Sequence, residues 1–125
     1  KLKIENQQIE HISPKQPTNG EPLATGYEVD ENNSYDEEFA NEYLNCIGNL
    51  LLISGSHNSS IGNKPFTDKL KTYIENPLLK QQAEIMNFIS GTKDIPKWDK
   101  EAINRRHEVI FKFAVDNWSF DSVDI

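Results

Sequence analysis

The chain has 125 residues, which is enough for one domain with a core and leaves little room for a second. A hydrophobic fraction of 36% and a mean hydropathy of -0.68 are low for a compact domain, although two Trp, four Tyr and six Phe supply large core side chains. The single cysteine, Cys46, excludes an internal disulfide and a cysteine-rich zinc site. No segment has the length and apolar character of a membrane span or the pattern of a signal peptide.

These features predict an intracellular, cytoplasmic location. The sequence begins at Lys1 without a methionine, and we therefore expect it to be a C-terminal fragment of a longer protein.

The net charge of -7 argues at first against a nucleic-acid partner. Its distribution is uneven, because the acidic residues are concentrated in the first half and residues 64–112 have a small excess of lysine and arginine. A basic face in the second half would still attract DNA, since local potential matters more than net charge. The acidic segment, residues 28–42, is read as a solvated face; contact with another domain and repulsion of wrongly approaching DNA are the alternatives.

The first half of the chain predicts a strand, a long loop and a helix. Residues 4–12 form the predicted strand, and the loop follows over residues 14–34, which are rich in proline, glycine and asparagine. A helix is expected from Asp36, with Gly48 ending it as a C-cap. Its apolar residues at helical spacing are Phe39, Tyr43 and Leu44.

The middle of the chain predicts a second strand and a second helix. Residues 50–53 are a short, continuous apolar run, typical of a buried strand that would be antiparallel to the first if the two pair. Residues 56–60 contain several candidates for a helix N-cap. Pro65 suits the first position of a helix, whose apolar residues would be Phe66, Leu70, Tyr73 and Ile74.

The last third predicts two more helices. Residues 78–89 have an amphipathic pattern, and Gly91 would end that helix. Asp99 is the expected N-cap of the final helix. An apolar stripe at helical spacing predicts core packing along that helix, at Ile103, Ile110, Ala114 and Trp118. The fold class predicted from these elements is α+β, mainly α.

Polar residues that suit phosphodiester chemistry lie where these elements begin and end. Glu10 and His11 end the first strand, Asn49 opens the second, and Asn58 precedes the next helix. Strand, long connection, strand and helix is the order of a ββα-metal unit, which closes around one divalent cation. Glu10 and Asn58 would supply hard oxygen ligands for Mg²⁺, and His11 would activate water. Asn49 would orient the imidazole or brace the loop. Taken alone, without these partners, the strand that contains Glu10 and His11 is explained as an ordinary buried strand with a satisfied histidine.

Several motifs in order resemble the HNH nuclease domain at the C-terminus of GmrSD-type restriction enzymes. They are EHISP at residues 10–14, IGNLLL at residues 47–52 and HNSSIGNKPF at residues 57–66. Single residues that continue the resemblance are Lys69, Tyr73, Trp98, Ile103, Arg106, Ala114 and Trp118. The resemblance implies one HNH domain over residues 1–125, with its ββα-metal core at about 4–75 and a helical extension at about 78–119.

The resemblance also implies a function and a set of roles. The domain would cut DNA, including modified phage DNA, in restriction or phage defence in bacteria or archaea. It would follow an N-terminal ParB-like nucleotide-dependent domain in the full-length chain. His11 would be the general base, Asn49 the motif asparagine, and Glu10 and Asn58 the ligands of Mg²⁺, for which Mn²⁺ would substitute. Supporting site residues would be Asn63 and His57, and phosphate contacts would come from Lys64, Lys69 and Arg106.

Other interpretations remain open from the sequence. A degenerate HNH fold used for protein interaction or DNA docking would keep the same motifs, and metal-assisted cleavage does not itself require deoxyribose, so RNA is a possible substrate. Many HNH proteins have histidine where Asn58 stands; His57 is a neighbouring substitute or a solvated residue. His107 is read as a surface residue.

Overall fold

A computed structural model describes residues 7–16, 26–54, 64–75 and 80–117. Within them the fold is mixed α/β, with about half of the residues helical and two small sheets. The predicted combination of helices with a small sheet is confirmed at this level. No helix in the described ranges is long and apolar enough to cross a membrane.

Two strands form an antiparallel hairpin, as the sequence predicts. Strand β1 is Gln7–His11 and strand β2 is Leu50–Ser54, and His11 is paired with Leu50 at the end of the ladder. The side chains alternate as expected of a strand: Glu10 is buried, whereas Ile9 on the opposite face is 61% exposed. The hairpin therefore buries a carboxylate and leaves an isoleucine in solvent.

The segment between the strands contains two short helices in place of one longer helix. A π-helix spans Phe39–Tyr43, and a 3₁₀-helix spans Ile47–Asn49. Asp36 starts the first of these turns, because its Oδ1 accepts the backbone N–H of Phe39 at 2.7 Å.

The prediction of Gly48 as a C-cap is wrong. Gly48 lies inside the 3₁₀-helix and is not among the described residues with positive φ. A Cβ atom at this position would collide with the backbone oxygen of Ile103. Glycine is needed here because the final helix lies close to the backbone of Gly48. The reason is not a left-handed backbone conformation.

Helix α1 spans Phe66–Glu75, helix α2 spans Lys80–Glu84, and a 3₁₀-helix follows at Ile85–Asn87. Helix α1 confirms the prediction, whereas the helix predicted over residues 78–89 ends at Glu84 and Gly91 does not end it. Gly91 instead has a φ of 74° in a two-residue strand. That strand, β3 (Ser90–Gly91), pairs with β4 (Pro96–Lys97), and neither strand was predicted.

Helix α3 spans Lys100–Asn117, and its N-cap is Asp99, as predicted. The Asp99 Oδ1 accepts the backbone N–H of Ala102 at 3.0 Å. The predicted apolar stripe is buried at Ile103 and partly buried at Ile110, but Ala114 is exposed because the helix extends beyond the core. Trp118 lies outside the described residues.

One hydrophobic core joins both halves of the chain. Its buried members come from the hairpin, α1, α3 and the segments between them: Ile12, Tyr27, Phe39, Leu51, Ile53, Phe66, Leu70, Tyr73, Ile85, Trp98, Ala102 and Ile103. On the outer face of the hairpin, an apolar groove of about 540 Å³ runs between the strands and α3. Ile9 and Phe113 line that groove, so it is separate from the face that buries Glu10.

Candidate active site

Strand β1 points the Glu10 carboxylate into the protein against helix α1. The residue is 4% exposed. Its Oε2 accepts a hydrogen bond from the Tyr73 hydroxyl at 2.9 Å and lies 3.2 Å from the Lys69 ammonium. Burial raises the pKa of Glu10 above its ordinary value, while the positive charge of Lys69 and the two hydrogen bonds oppose that rise. The carboxylate is thus held by two donors from one helix.

Lys69 is fully buried, and it contacts the chain beyond Glu10. Its ammonium donates to the backbone oxygens of His11 at 3.0 Å and Ile12 at 3.1 Å. Burial lowers the pKa of Lys69, and the neighbouring Glu10 carboxylate opposes that shift. The structure places Lys69, predicted to contact a phosphate, in an internal ion pair with Glu10, with 0% of its side chain exposed.

His11 is half-buried, and its imidazole is oriented by a residue that the sequence did not single out. The Nε2 atom lies 2.9 Å from the Oδ1 of Asn45. Because an amide oxygen only accepts hydrogen bonds, this contact favours, for the neutral ring, the tautomer with the proton on Nε2 and the lone pair on Nδ1. Asn45 follows the π-helix, and its reach to β1 depends on the course of the chain between the strands, which no local pattern indicates.

Asn49 is completely buried and uses all of its side-chain hydrogen-bonding capacity. Its Oδ1 accepts the backbone N–H of Ser13 at 2.8 Å and the indole N–H of Trp98 at 3.0 Å. Its Nδ2 donates to the backbone oxygens of Ser13 at 3.1 Å and Leu44 at 2.8 Å. The Asn49 backbone oxygen also accepts the N–H of Ile12 at 2.9 Å. These bonds brace the turn that follows His11 against the start of β2.

Arg106 of helix α3 braces the start of β2. Its Nη1 donates to three backbone oxygens that surround the start of β2, those of Ile47, Gly48 and Leu50. The residue is 6% exposed. Arg106, also predicted to contact a phosphate, is thus placed in the interior with its guanidinium against backbone oxygens.

The remaining predicted site residues divide into two groups. Lys64 is exposed, and the Tyr27 hydroxyl donates to its backbone oxygen at 2.6 Å, which anchors the approach to α1. Asn58, His57 and Asn63 lie outside the described residues. The structure therefore brings Glu10, His11 and Asn49 to one end of the hairpin.

His107 is not the surface residue that the sequence indicated. It is half-buried, with its Nδ1 3.2 Å from the Cys46 sulfur and its ring stacked on Phe111. The acidic segment does behave as a largely solvated face. Three of its carboxylates surround Lys100 at 3.1 to 4.0 Å, those of Glu38, Asp36 and Glu28, and such exposed pairs contribute little stability.

The described residues fit a divalent cation in part. They contain no group of three His, Cys, Asp or Glu side chains that would hold a metal. Glu10 is a hard oxygen ligand of the kind Mg²⁺ prefers. A carboxylate has about four lone-pair positions, so the contacts of Lys69 and Tyr73 with Oε2 leave capacity for a cation. The second predicted ligand, Asn58, would complete the pair.

The hairpin thus ends at Glu10 and His11, and helix α1 holds the Glu10 carboxylate through Lys69 and Tyr73. The family model described as GmrSD restriction endonucleases, C-terminal domain, matches residues 1–113 of the chain. The chain therefore belongs to this family of restriction endonuclease domains. Membership indicates nuclease activity with DNA as the substrate. No curated protein and no solved structure matches the chain.

Proposed function

We propose that this chain is a divalent-metal-dependent HNH endonuclease domain that hydrolyses DNA phosphodiester bonds in restriction or phage defence. The observation that carries the proposal is the state of His11. Its imidazole is half-buried, its Nε2 lies 2.9 Å from the Asn45 Oδ1, and His11 directly follows the buried Glu10 in the chain at the end of β1. Family membership supplies the substrate class.

In the proposed mechanism, His11 takes a proton from the attacking water at Nδ1. Asn45 holds the opposite side of the ring, so the proton-accepting nitrogen keeps a fixed direction. Asn49 keeps the turn after His11 rigid through its four side-chain hydrogen bonds. A Mg²⁺ or Mn²⁺ ion held by Glu10 and Asn58 would stabilise charge on the scissile phosphate and the leaving oxygen.

Substrate selection is proposed to reside largely outside this domain. An N-terminal ParB-like nucleotide-dependent domain in the full-length protein would control cleavage and recognise the DNA, including modified phage DNA. Lys69 and Arg106 are both buried in this domain, so neither side chain is exposed for a contact with DNA.

A plasmid-cleavage assay of the full-length protein with Mg²⁺, Mn²⁺ or EDTA tests the proposal. We expect His11→Gln to reduce the cleavage rate by about 10²–10⁴-fold, the usual contribution of a general base. His107→Gln is the matched control, because it removes an imidazole from the same fold, and it should cut like the wild type. Unchanged cutting by a folded His11→Gln protein would refute the mechanism.

A catalytically inactive HNH module for protein interaction or DNA docking is the second candidate. The observation in its favour is that the Glu10 charge is already compensated by Lys69. Titration with Mn²⁺ distinguishes the nuclease from the inactive module. Binding of an ion to the wild type that is lost in Glu10→Gln supports the nuclease, whereas no binding to the wild type supports the inactive module. An RNA substrate in the same cleavage assay tests the ribose preference.

A further inference from the structure

We propose that Lys69 is a positioning residue of the nuclease site, which fixes the Glu10 carboxylate and the His11 backbone in one arrangement. This inference rests on the proposed function and adds a residue to it. Lys69 touches neither the attacking water nor the phosphate in this scheme. It acts through the two residues that do the chemistry.

The contacts of Lys69 use every donor that the side chain has. An ammonium group carries three N–H bonds, and the Lys69 Nζ has three acceptors within 3.2 Å. These acceptors are the Glu10 Oε2 and the backbone oxygens of His11 and Ile12. With 0% of the side chain exposed, water cannot substitute for any of them. The Lys69 ammonium thus connects α1 to the end of β1 through three contacts.

The location of these acceptors explains why a long cationic side chain is needed. The β1–β2 pairing ends at His11 and Leu50, so the chain leaves the sheet beyond His11. There the backbone oxygen of Ile12 lies within reach of Lys69 on α1. There Ile12 is fully buried, and buried backbone oxygens without partners are costly. An apolar residue at position 69 would leave two backbone oxygens and a carboxylate without this donor.

Tyr73 couples the same helix to the same carboxylate. It lies four residues after Lys69, so both side chains project from one face of α1, and both reach the Oε2 of Glu10. The direction of the Glu10 carboxylate is therefore set by helix α1. At His11, Lys69 holds the backbone oxygen while Asn45 holds the ring. His11 is therefore held at two points, its backbone by Lys69 and its ring by Asn45.

A purely structural role for Lys69 makes a different prediction from a positioning role. Removal of a structural interaction lowers stability but leaves the molecules that remain folded equally active. Removal of a positioning interaction lowers kcat in the folded molecules and changes the environment of the His11 ring. Misplacement of a reacting group by about 1 Å can cost 10²-fold in rate.

The test compares Lys69→Met with Lys71→Met in the full-length protein. Lys71 is the matched control because it is a lysine of the same helix whose side chain is 71% exposed and pairs only weakly with Glu75 at 4.0 Å. Single-turnover plasmid cleavage with Mn²⁺, Mn²⁺ binding by electron paramagnetic resonance, and the NMR signals of the His11 ring in the metal-free protein are measured. Thermal unfolding establishes that each variant is folded.

We expect folded Lys69→Met to cut at least about 10-fold more slowly, with shifted or broadened His11 ring signals. Lys71→Met should match the wild type in both measurements. A folded Lys69→Met protein with wild-type cleavage and wild-type His11 signals would overturn the inference.

If Lys69→Met does not fold, Glu10→Gln/Lys69→Met is compared with Glu10→Gln, because the double variant leaves no unpaired buried carboxylate. Disturbed His11 signals only in the double variant support positioning by Lys69, and identical signals in the two proteins contradict it. Failure of the proposed function appears separately, as absence of metal-dependent cleavage in the wild type. The His11 signals are read without metal and do not depend on that result.

Discussion

At the scale of single residues, the orientation of the His11 ring depends on one amide. Asn45 offers an acceptor to Nε2 at 2.9 Å and so leaves Nδ1 as the basic nitrogen. We predict that Asn45→Ala lowers kcat by about 10-fold or more, because the ring then samples other orientations and tautomers. Asn45→Asp retains an acceptor for Nε2–H and should keep the tautomer.

Cleavage rates and ¹⁵N NMR of the imidazole check this prediction together. The ring nitrogens distinguish the Nε2–H tautomer from its alternative, so the spectrum of Asn45→Ala should show a mixture. Wild-type activity in an Asn45→Ala protein with a single unchanged tautomer would rule out a role for this residue.

Asn49 is the residue whose loss should cost the most stability. Asn49→Ala removes four side-chain hydrogen bonds and strands the buried N–H groups of Ser13 and Trp98. Each buried group left unsatisfied costs about 1–3 kcal/mol, so the free energy of unfolding should fall by about 3–5 kcal/mol. Urea denaturation measures the difference.

Asn45→Ala, an exposed asparagine of the same segment, is the stability control for that experiment. Its single hydrogen bond predicts a loss of at most about 1 kcal/mol. Equal stability losses in the two variants would mean that the buried network around Asn49 is not what holds the turn.

At the scale of elements, the hydrogen bond between Asp36 and Phe39, the first residue of the π-helix, gives the segment between the strands a pH dependence. The N–H of Phe39, bound to the Asp36 carboxylate, lowers the pKa of Asp36 below 3.8, and the charge of Lys100 adds to this effect. A carboxyl group whose pKa is lowered by folding stabilises the fold above its unfolded pKa. That stabilisation is lost as the pH falls through the folded pKa.

We therefore predict that Asp36→Ala lowers the melting temperature at neutral pH and that this difference shrinks as the pH falls below 3.8. Asp36→Asn, which keeps an oxygen acceptor for the Phe39 N–H, should retain part of the stability at every pH. Thermal unfolding of the three proteins over a pH series measures both effects. A difference between wild type and Asp36→Ala that stays constant down to the lowest pH would contradict the role of the charge.

The elements that the sequence predicted well are those with a local cause. The apolar run at residues 50–53, the proline at position 65 and the N-cap Asp99 each act within a few residues, and β2, α1 and α3 follow from them. The π-helix and the two-residue strands β3 and β4 have no periodic signal of their own. They form because tertiary contacts favour them.

From the sequence the candidate site could be proposed as a list of residues, but the contacts among them could not be predicted. Glu10, His11 and Asn49 lie at the ends of the predicted strands, where polar residues suggest a functional site. Lys69 resembles any lysine of an amphipathic helix, and its burial depends on a partner 59 positions earlier in the chain. The resemblance implied a phosphate contact for Lys69, whereas the position of α1 against β1 makes this lysine an internal donor.

At the scale of the whole molecule, burial determines which lysine and arginine side chains remain accessible to DNA. Lys69 and Arg106 are interior, and Lys100 is surrounded by three carboxylates. Lys64 is exposed immediately before α1, the helix that holds Glu10. Of the three phosphate contacts expected from the sequence, Lys64 is thus the one whose charge faces solvent.

We predict that Lys64→Gln weakens DNA binding to a similar degree for all sequences and lowers the slope of log K against log salt by about one. Neutralising one lysine that binds a phosphate reduces counterion release by roughly one ion, and a glutamine of similar size preserves the local packing. Binding is measured in the full-length His11→Gln background, so that cleavage does not interfere. Lys93→Gln, an exposed lysine in the turn between β3 and β4, is the matched control. An equal change in slope for both variants would assign the effect to net charge, and no change in either would place the DNA on another face of the protein.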